Sequence, residues 1–85
     1  MKILTYMVKN KTGIHARPAS SLFALARNYK CNIFLVKEGN RGKLSRIVDI
    51  MELNIKKGDT ISFEIEGTDE KEAYIAIEQF CKDYL

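Results

Sequence analysis

The single histidine of this chain lies in a short run whose residue types can handle phosphate, Gly13-Ile14-His15-Ala16-Arg17-Pro18-Ala19. A neutral imidazole is a good nucleophile near pH 7, because an unperturbed histidine titrates at about 6.5. Two residues on, Arg17 carries a permanent charge on a planar fork that can grip a phosphate through two parallel hydrogen bonds. Pro18 belongs in a helix's first turn, where the amide it lacks would have no intrahelical partner. It sets the helix start near Ala16, so His15 falls at or just before the N-cap, and Gly13 permits a tight or left-handed turn upstream. The backbone amides of Ala16 and Arg17, at the positive end of the helix dipole, then form an anion site beside the imidazole. These types at this spacing suit a histidine that accepts a phosphoryl group while amides and a guanidinium stabilise its charge. A merely capping histidine and a merely solvated arginine would also explain the pair. The glycine before, the proline after and the strand-to-helix junction weigh against that.

The elements that must position this run can be read from periodicity. Residues 2–8 form a strand with Leu4, Tyr6 and Val8 on one face, and a helix fits residues 16–28, its stripe being Ala19, Leu22, Ala26 and Tyr29. Residues 32–37 are a second strand, Glu38-Gly39-Asn40-Arg41-Gly42 supplies hairpin chemistry, and a short strand follows around Lys43. Residues 47–53 suit a short helix capped by Ser45. In residues 60–66, Ile61, Phe63 and Ile65 alternate with polar neighbours, the mark of a half-buried strand. The last helix, 69–84, is capped by Thr68 or Asp69, has acidic residues in its first turn, and buries Ala73, Ile77, Phe80 and Tyr84. The predicted order is βαββαβα in an α+β fold, with helices covering one face of a sheet and the other face solvated.

Composition bounds the function. Eighty-five residues allow one domain, residues 1–85, and 46% apolar with 29% charged residues describes a globular chain. The net charge of +3 hides a division, because residues 1–46 sum to +9 and residues 47–85 to −6. No apolar run reaches the roughly 18–20 residues of a membrane span, and the N-terminus is too short and interrupted for a signal peptide. The cysteines, Cys31 and Cys81, form no CxxC, and one histidine leaves no zinc cluster, so no metal or cofactor is called for. Two buried thiols in a cytoplasmic protein is the expectation.

The Gly13–Ala19 run resembles the active-site signature of HPr, the histidine-containing phosphocarrier family of the bacterial phosphoenolpyruvate:sugar phosphotransferase system. The likeness runs along the whole chain, through Ile47–Met51, Lys57-Gly58-Asp59 and Gly67-Thr68-Asp69-Glu70. It implies an open-faced β-sandwich: a four-stranded antiparallel sheet with three helices on one face. It also implies that His15 takes a phosphoryl group, on Nδ1, from Enzyme I and passes it to IIA domains of sugar permeases, with Arg17 steadying it. Such a carrier is not an enzyme; it is the substrate of two enzymes, and a monomer suffices. Residues 47–53 hold five apolar residues in seven, more than a short surface helix can bury. In the family the positions of Ile47, Val48 and Met51 dock on partners, with Ser20, Ser21 and Ala24 of the first helix. Arg17, Arg27 and Arg46 become a positive rim that steers acidic partners.

The sequence also departs from the family. The regulatory serine of Gram-positive members is replaced by Arg46, and Ser45, one residue earlier, points about 100° away on a helix. Asp49 and Asn54 stand where glycine is usual; asparagine tolerates positive φ, and Asp49 can pair with Arg46 across one turn. A carrier of a nitrogen-branch phosphorelay needs the same His15 and Arg17. A small RNA-binding module is the reading from another class, since Gly39-Asn40-Arg41-Gly42 matches a GXXG clamp. That clamp joins two helices, whereas this loop joins two strands, and few aromatics lie among the bases to stack nucleotides.

Overall fold

In the computed structural model, which describes residues 1–85, the hydrophobic alternation of β4 organises everything else. The elements are β1 (Lys2–Met7), α1 (Ala16–Ala26), β2 (Cys31–Lys37), β3 (Asn40–Lys43), α2 (Ile47–Glu52), β4 (Thr60–Gly67) and α3 (Glu70–Tyr84). The strands form one antiparallel sheet in the order β1-β4-β2-β3. Phe63 of β4 stands opposite Leu4 on one side and Leu35 on the other, and all three are buried. The core of eighteen buried residues continues through Ala19 and Leu22 of α1, Ile50 of α2 and Ala73, Ile77 and Phe80 of α3. The order and class are those expected, an open antiparallel sheet with three helices.

The β2–β3 hairpin closes on two residues, Glu38 and Gly39, both at positive φ (50° and 83°). Positive φ at both central positions is the type I′ requirement, whose twist matches that of the strands. The turn is therefore tighter than the five-residue segment that suggested it, and Asn40–Gly42 already belong to β3.

Several sequence expectations need correction. The first helix ends at Ala26, not residue 28, and only Pro18, Ala19 and Leu22 of it are fully buried; Ala26 and Tyr29 are partly covered. Ser45 does not cap α2, because Arg46 occupies the N-cap and no side chain bonds the helix start. Asp69 occupies the N-cap of α3, but its carboxylate serves the α1–β2 connection instead, accepting from the Lys30 amide at 2.8 Å and the Cys31 thiol at 2.7 Å. Cys31 is thus half-buried, and only Cys81 is fully buried; neither forms a disulfide. Tyr84 leaves the apolar stripe with 61% exposure, because Leu85 fills the core at the helix end while the Tyr84 ring lies on Phe80.

Candidate functional site

Two tethers shape the loop that carries His15. Asn10 closes a turn on Gly13: its carbonyl accepts from the Gly13 amide at 3.0 Å, and its Nδ2 donates to the Gly13 carbonyl at 3.1 Å. The Asn10 amide in turn donates to the Leu85 carbonyl at 2.7 Å, joining this turn to the end of α3. From the other side the Ile14 amide donates to the Ile55 carbonyl at 3.1 Å. Gly13, at φ 62°, lies so close beneath that segment that an added Cβ would sit 2.8 Å from Lys56 Cα and closer still to the Ile55 carbonyl oxygen. Ile14 is buried, so the chain surfaces at His15 from an anchored base.

His15 is the N-cap of α1, in extended conformation (φ −111°, ψ −166°), and its imidazole makes no capping bond. The first amide to close the helix is that of Ala19, onto the His15 carbonyl at 3.0 Å. Ahead of it stand the amides of Ala16 and Arg17, and Pro18 has none to offer. The expected start at Ala16 is met. His15, Ala16 and Arg17 are all exposed, and Arg17 joins none of the four ion pairs. An exposed imidazole, two free amides and an unpaired guanidinium therefore meet at one helix end, which is the arrangement an incoming phosphoryl group needs.

His15 and Arg17 open onto a cleft of about 740 Å³ between α1 and the end of α3, lined also by Asn10, Thr12, Ser21, Ala24, Phe80 and Tyr84. Ser21 and Ala24 thus line the same cleft as the histidine, further along α1, while Ser20 is exposed on the same helix. Ile47, Val48 and Met51 lie apart from this cleft on α2, which packs against α1. Of the five apolar residues around α2, Ile50 is buried and Ile47 and Leu53 are partly so, whereas Val48 and Met51 stay 61% and 40% exposed. Arg46 pairs with Asp49 at 3.4 Å, as their spacing foretold, and Asn54 has φ 52°.

Sequence reasoning missed Asn10, Thr12 and the Ile55 carbonyl. The Asn10-x-x-Gly13 spacing is a turn signal that could have pointed to the first two. Nothing local marks Ile55, because its contact with Ile14 spans forty-one residues of chain.

Comparison with known proteins bears on what this geometry is for. Residues 4–83 match the family described as PTS HPr component phosphorylation site. The phosphocarrier protein HPr of Mycoplasma pneumoniae is 44% identical over 78 residues, covering 91% of this chain and 89% of that protein. The phosphocarrier protein NPr of Klebsiella oxytoca is 36% identical over 74 residues, covering 86% and 82%. Among solved structures, a histidine-containing phosphocarrier protein described in connection with the divergence of mycoplasma from Gram-positive bacteria superposes with a TM-score of 0.92 at 33% identity, covering 96% and 93%.

Proposed function

The chain belongs to the HPr family of phosphocarriers of the phosphotransferase system, and from that premise we propose that His15 is its phosphoryl acceptor and Arg17 the residue that steadies the group. The function is phosphoryl carriage, not catalysis, and the family's partners are Enzyme I and IIA components. The observation that carries the site reading is the exposed, uncapped imidazole of His15 at a helix start where two amides stand ahead of the first helical bond.

In the step itself, an N–P bond forms at His15 Nδ1 as the donor's bond to phosphorus breaks, and the other ring nitrogen keeps a proton. The transferred group brings about −1.5 to −2 charges, which the Ala16 and Arg17 amides and the Arg17 guanidinium meet at close range. Onward transfer to a IIA domain requires that this grip be modest, and an exposed site open to water supplies that condition. The docking face is the exposed strip of Ser20, Ser21 and Ala24 on α1 continued by Ile47, Val48 and Met51 on α2. A monomer is the proposed working unit and the cytoplasm the proposed compartment, both as in the family. No helix is long and apolar enough to cross a membrane. Arg46 stands where the regulatory serine of Gram-positive members would be, so no serine switch operates at that position. Sugar uptake is preferred over a nitrogen-branch relay, since identity to the mycoplasmal HPr exceeds that to the NPr.

Incubation with phosphoenolpyruvate, Mg²⁺ and Enzyme I should add one acid-labile, base-stable phosphate to the intact mass. His15→Ala should remove it; a label that survives this substitution would sink the assignment.

A further inference from the structure

The loop beneath the histidine is held by a cation that belongs to neither the phosphate site nor the docking face. Lys37 ends β2, and its side chain is only 16% exposed. Its Nζ donates to the Asn54 carbonyl at 2.8 Å and pairs with Asp59 Oδ2 at 2.9 Å. Asp59 in turn closes the loop on itself: its carboxylate accepts from the Lys56 amide at 2.7 Å, and its own amide donates to the Lys56 carbonyl at 3.0 Å. Lys37 therefore ties together both ends of the 54–59 segment. Between those ends lies Ile55, whose carbonyl accepts from Ile14, the residue before His15.

The need for such a tie follows from Asn54. It sits at φ 52°, a left-handed conformation that costs an ordinary residue more than it costs glycine. Its carbonyl direction, and with it the peptide leading to Ile55, has to be fixed by a partner outside the loop. Lys37 is that partner. Further bonds, from the Gly58 amide to the Val8 carbonyl at 2.8 Å and from the Val8 amide to the Asp59 carbonyl at 2.9 Å, fasten the far end of the loop to the sheet. At the near end the Asn54 amide donates to the Met51 carbonyl at 3.1 Å and the Ile55 side chain is buried in the core, while the Lys37 ammonium is the group that holds the Asn54 carbonyl, one peptide before Ile55.

We propose that Lys37 is a positioning residue for phosphoryl acceptance, holding Asn54 and Asp59 so that the Ile55 carbonyl fixes Ile14 and thereby the height and direction of His15. This rests on His15 being the acceptor. Its effect belongs in the transfer step and not in docking, because Lys37 lies outside both the cleft and the α1–α2 strip.

The test compares the full chain with Lys37→Met and Lys37→Arg. One readout is the rate of His15 phosphorylation at varied Enzyme I; the other is hydrogen exchange at the Ile14 amide, with Phe63 in the core as reference. In Lys37→Met the maximal rate should fall roughly tenfold, with less than about twofold change in the half-saturating Enzyme I concentration, as expected for a displaced nucleophile. Ile14 should exchange faster while Phe63 does not, and Lys37→Arg should restore both. Parental values of rate and Ile14 exchange in Lys37→Met overturn the proposal. So does a slower rate accompanied by equal loss of protection at Phe63, which would make Lys37 a general stabiliser. If the parent acquires no label on His15, the acceptor assignment fails, and the Ile14 comparison still decides whether Lys37 positions the loop.

Discussion

Replacing Gly13 by alanine should damage stability and transfer together, because one peptide segment serves both. Two costs add. The φ of 62° is a left-handed conformation, which penalises an L-residue by about 1–2 kcal/mol. The new Cβ would then lie 2.8 Å from Lys56 Cα, whereas carbon atoms rest at about 3.5–4.0 Å, so the segments must part by roughly 1 Å. Such a shift stretches the 3.1 Å bond from Ile14 to Ile55 beyond useful range, at about 1 kcal/mol for a typical net hydrogen bond. The total is about 2–3 kcal/mol, a large part of the roughly 5–15 kcal/mol that holds a domain together. Urea denaturation followed by circular dichroism would read this as a midpoint lowered by about 2 M, taking a slope near 1–1.5 kcal/mol per M. Gly39→Ala separates the two costs, since Gly39 is at φ 83° with nothing near its Cβ position, and it should lose only the conformational part, about 1–2 kcal/mol. If Gly13→Ala and Gly39→Ala lose the same amount, the close approach to Ile55 is not what demands glycine at 13.

Arg17→Glu should slow phosphorylation by Enzyme I by about 100-fold or more through like-charge repulsion, with the unfolding midpoint unchanged; near-parental rates would reduce Arg17 to surface decoration. Val48→Glu together with Met51→Glu should raise the half-saturating concentration of Enzyme I by about tenfold while sparing the maximal rate, since both side chains are exposed and neither lines the His15 cleft. Partial burial, with the Asp69 carboxylate beside it, pushes the Cys31 thiol up to about 11 from 9.0, and the folded state therefore favours the protonated form. That contribution is complete below pH 9 and lost as pH rises towards 11, so alkaline unfolding should begin earlier in the parent than in Cys31→Ser. Asn54→Gly should raise stability by up to about 1 kcal/mol by relieving the left-handed φ, measured by the same urea titration.

The parts of this molecule that were legible in the sequence are those written in short range. Ile61, Phe63 and Ile65 alternate because a strand has period two, and Pro18 marks the start of α1 because a missing amide is harmless only there. Tyr84 misled for the opposite reason. Its helical position fits the stripe of Ala73, Ile77 and Phe80, but the chain end lets Leu85 turn in and take its place. Ser45 misled because a residue suited to capping was one position early, and α2 begins without a side-chain cap. The sequence leaves Thr68 and Asp69 both open as the cap of α3, and Asp69 takes the position without a side-chain capping bond. Its carboxylate reaches Lys30 and Cys31 across thirty-eight or more residues of chain, which no local pattern records. The site divides in the same way. His15 and Arg17 announce themselves by type and spacing, whereas Ile55, Lys37 and Asp59 act through contacts that exist only once the sheet is built.

The division between a basic first half and an acidic second half takes its meaning from that sheet. Two acidic side chains are used up against bases outside the α1–α2 rim: Glu64 pairs with Arg41 at 2.8 Å, and Asp59 with Lys37 at 2.9 Å. Arg46 is matched loosely by Asp49 at 3.4 Å and stays 69% exposed, while Arg17 and Arg27 have no ion-pair partner. The basic rim along α1 and α2 is therefore less neutralised than the net charge of +3 implies. Its members do different work, however. Arg27 follows His15 by twelve residues along α1, about 18 Å at a rise of 1.5 Å each. That is roughly two Debye lengths at physiological salt, too far to stabilise a phosphoryl group at His15. Arg27 and Arg46 can raise the encounter rate with an acidic partner, an effect that salt suppresses. Arg17, two residues from His15 and lining the same cleft, is the one that the proposed function sets against the transferred charge. For the proposed acceptor, Arg17 is then a short-range clamp and Arg27 a long-range guide, separable by the ionic-strength dependence that only the guide should show strongly.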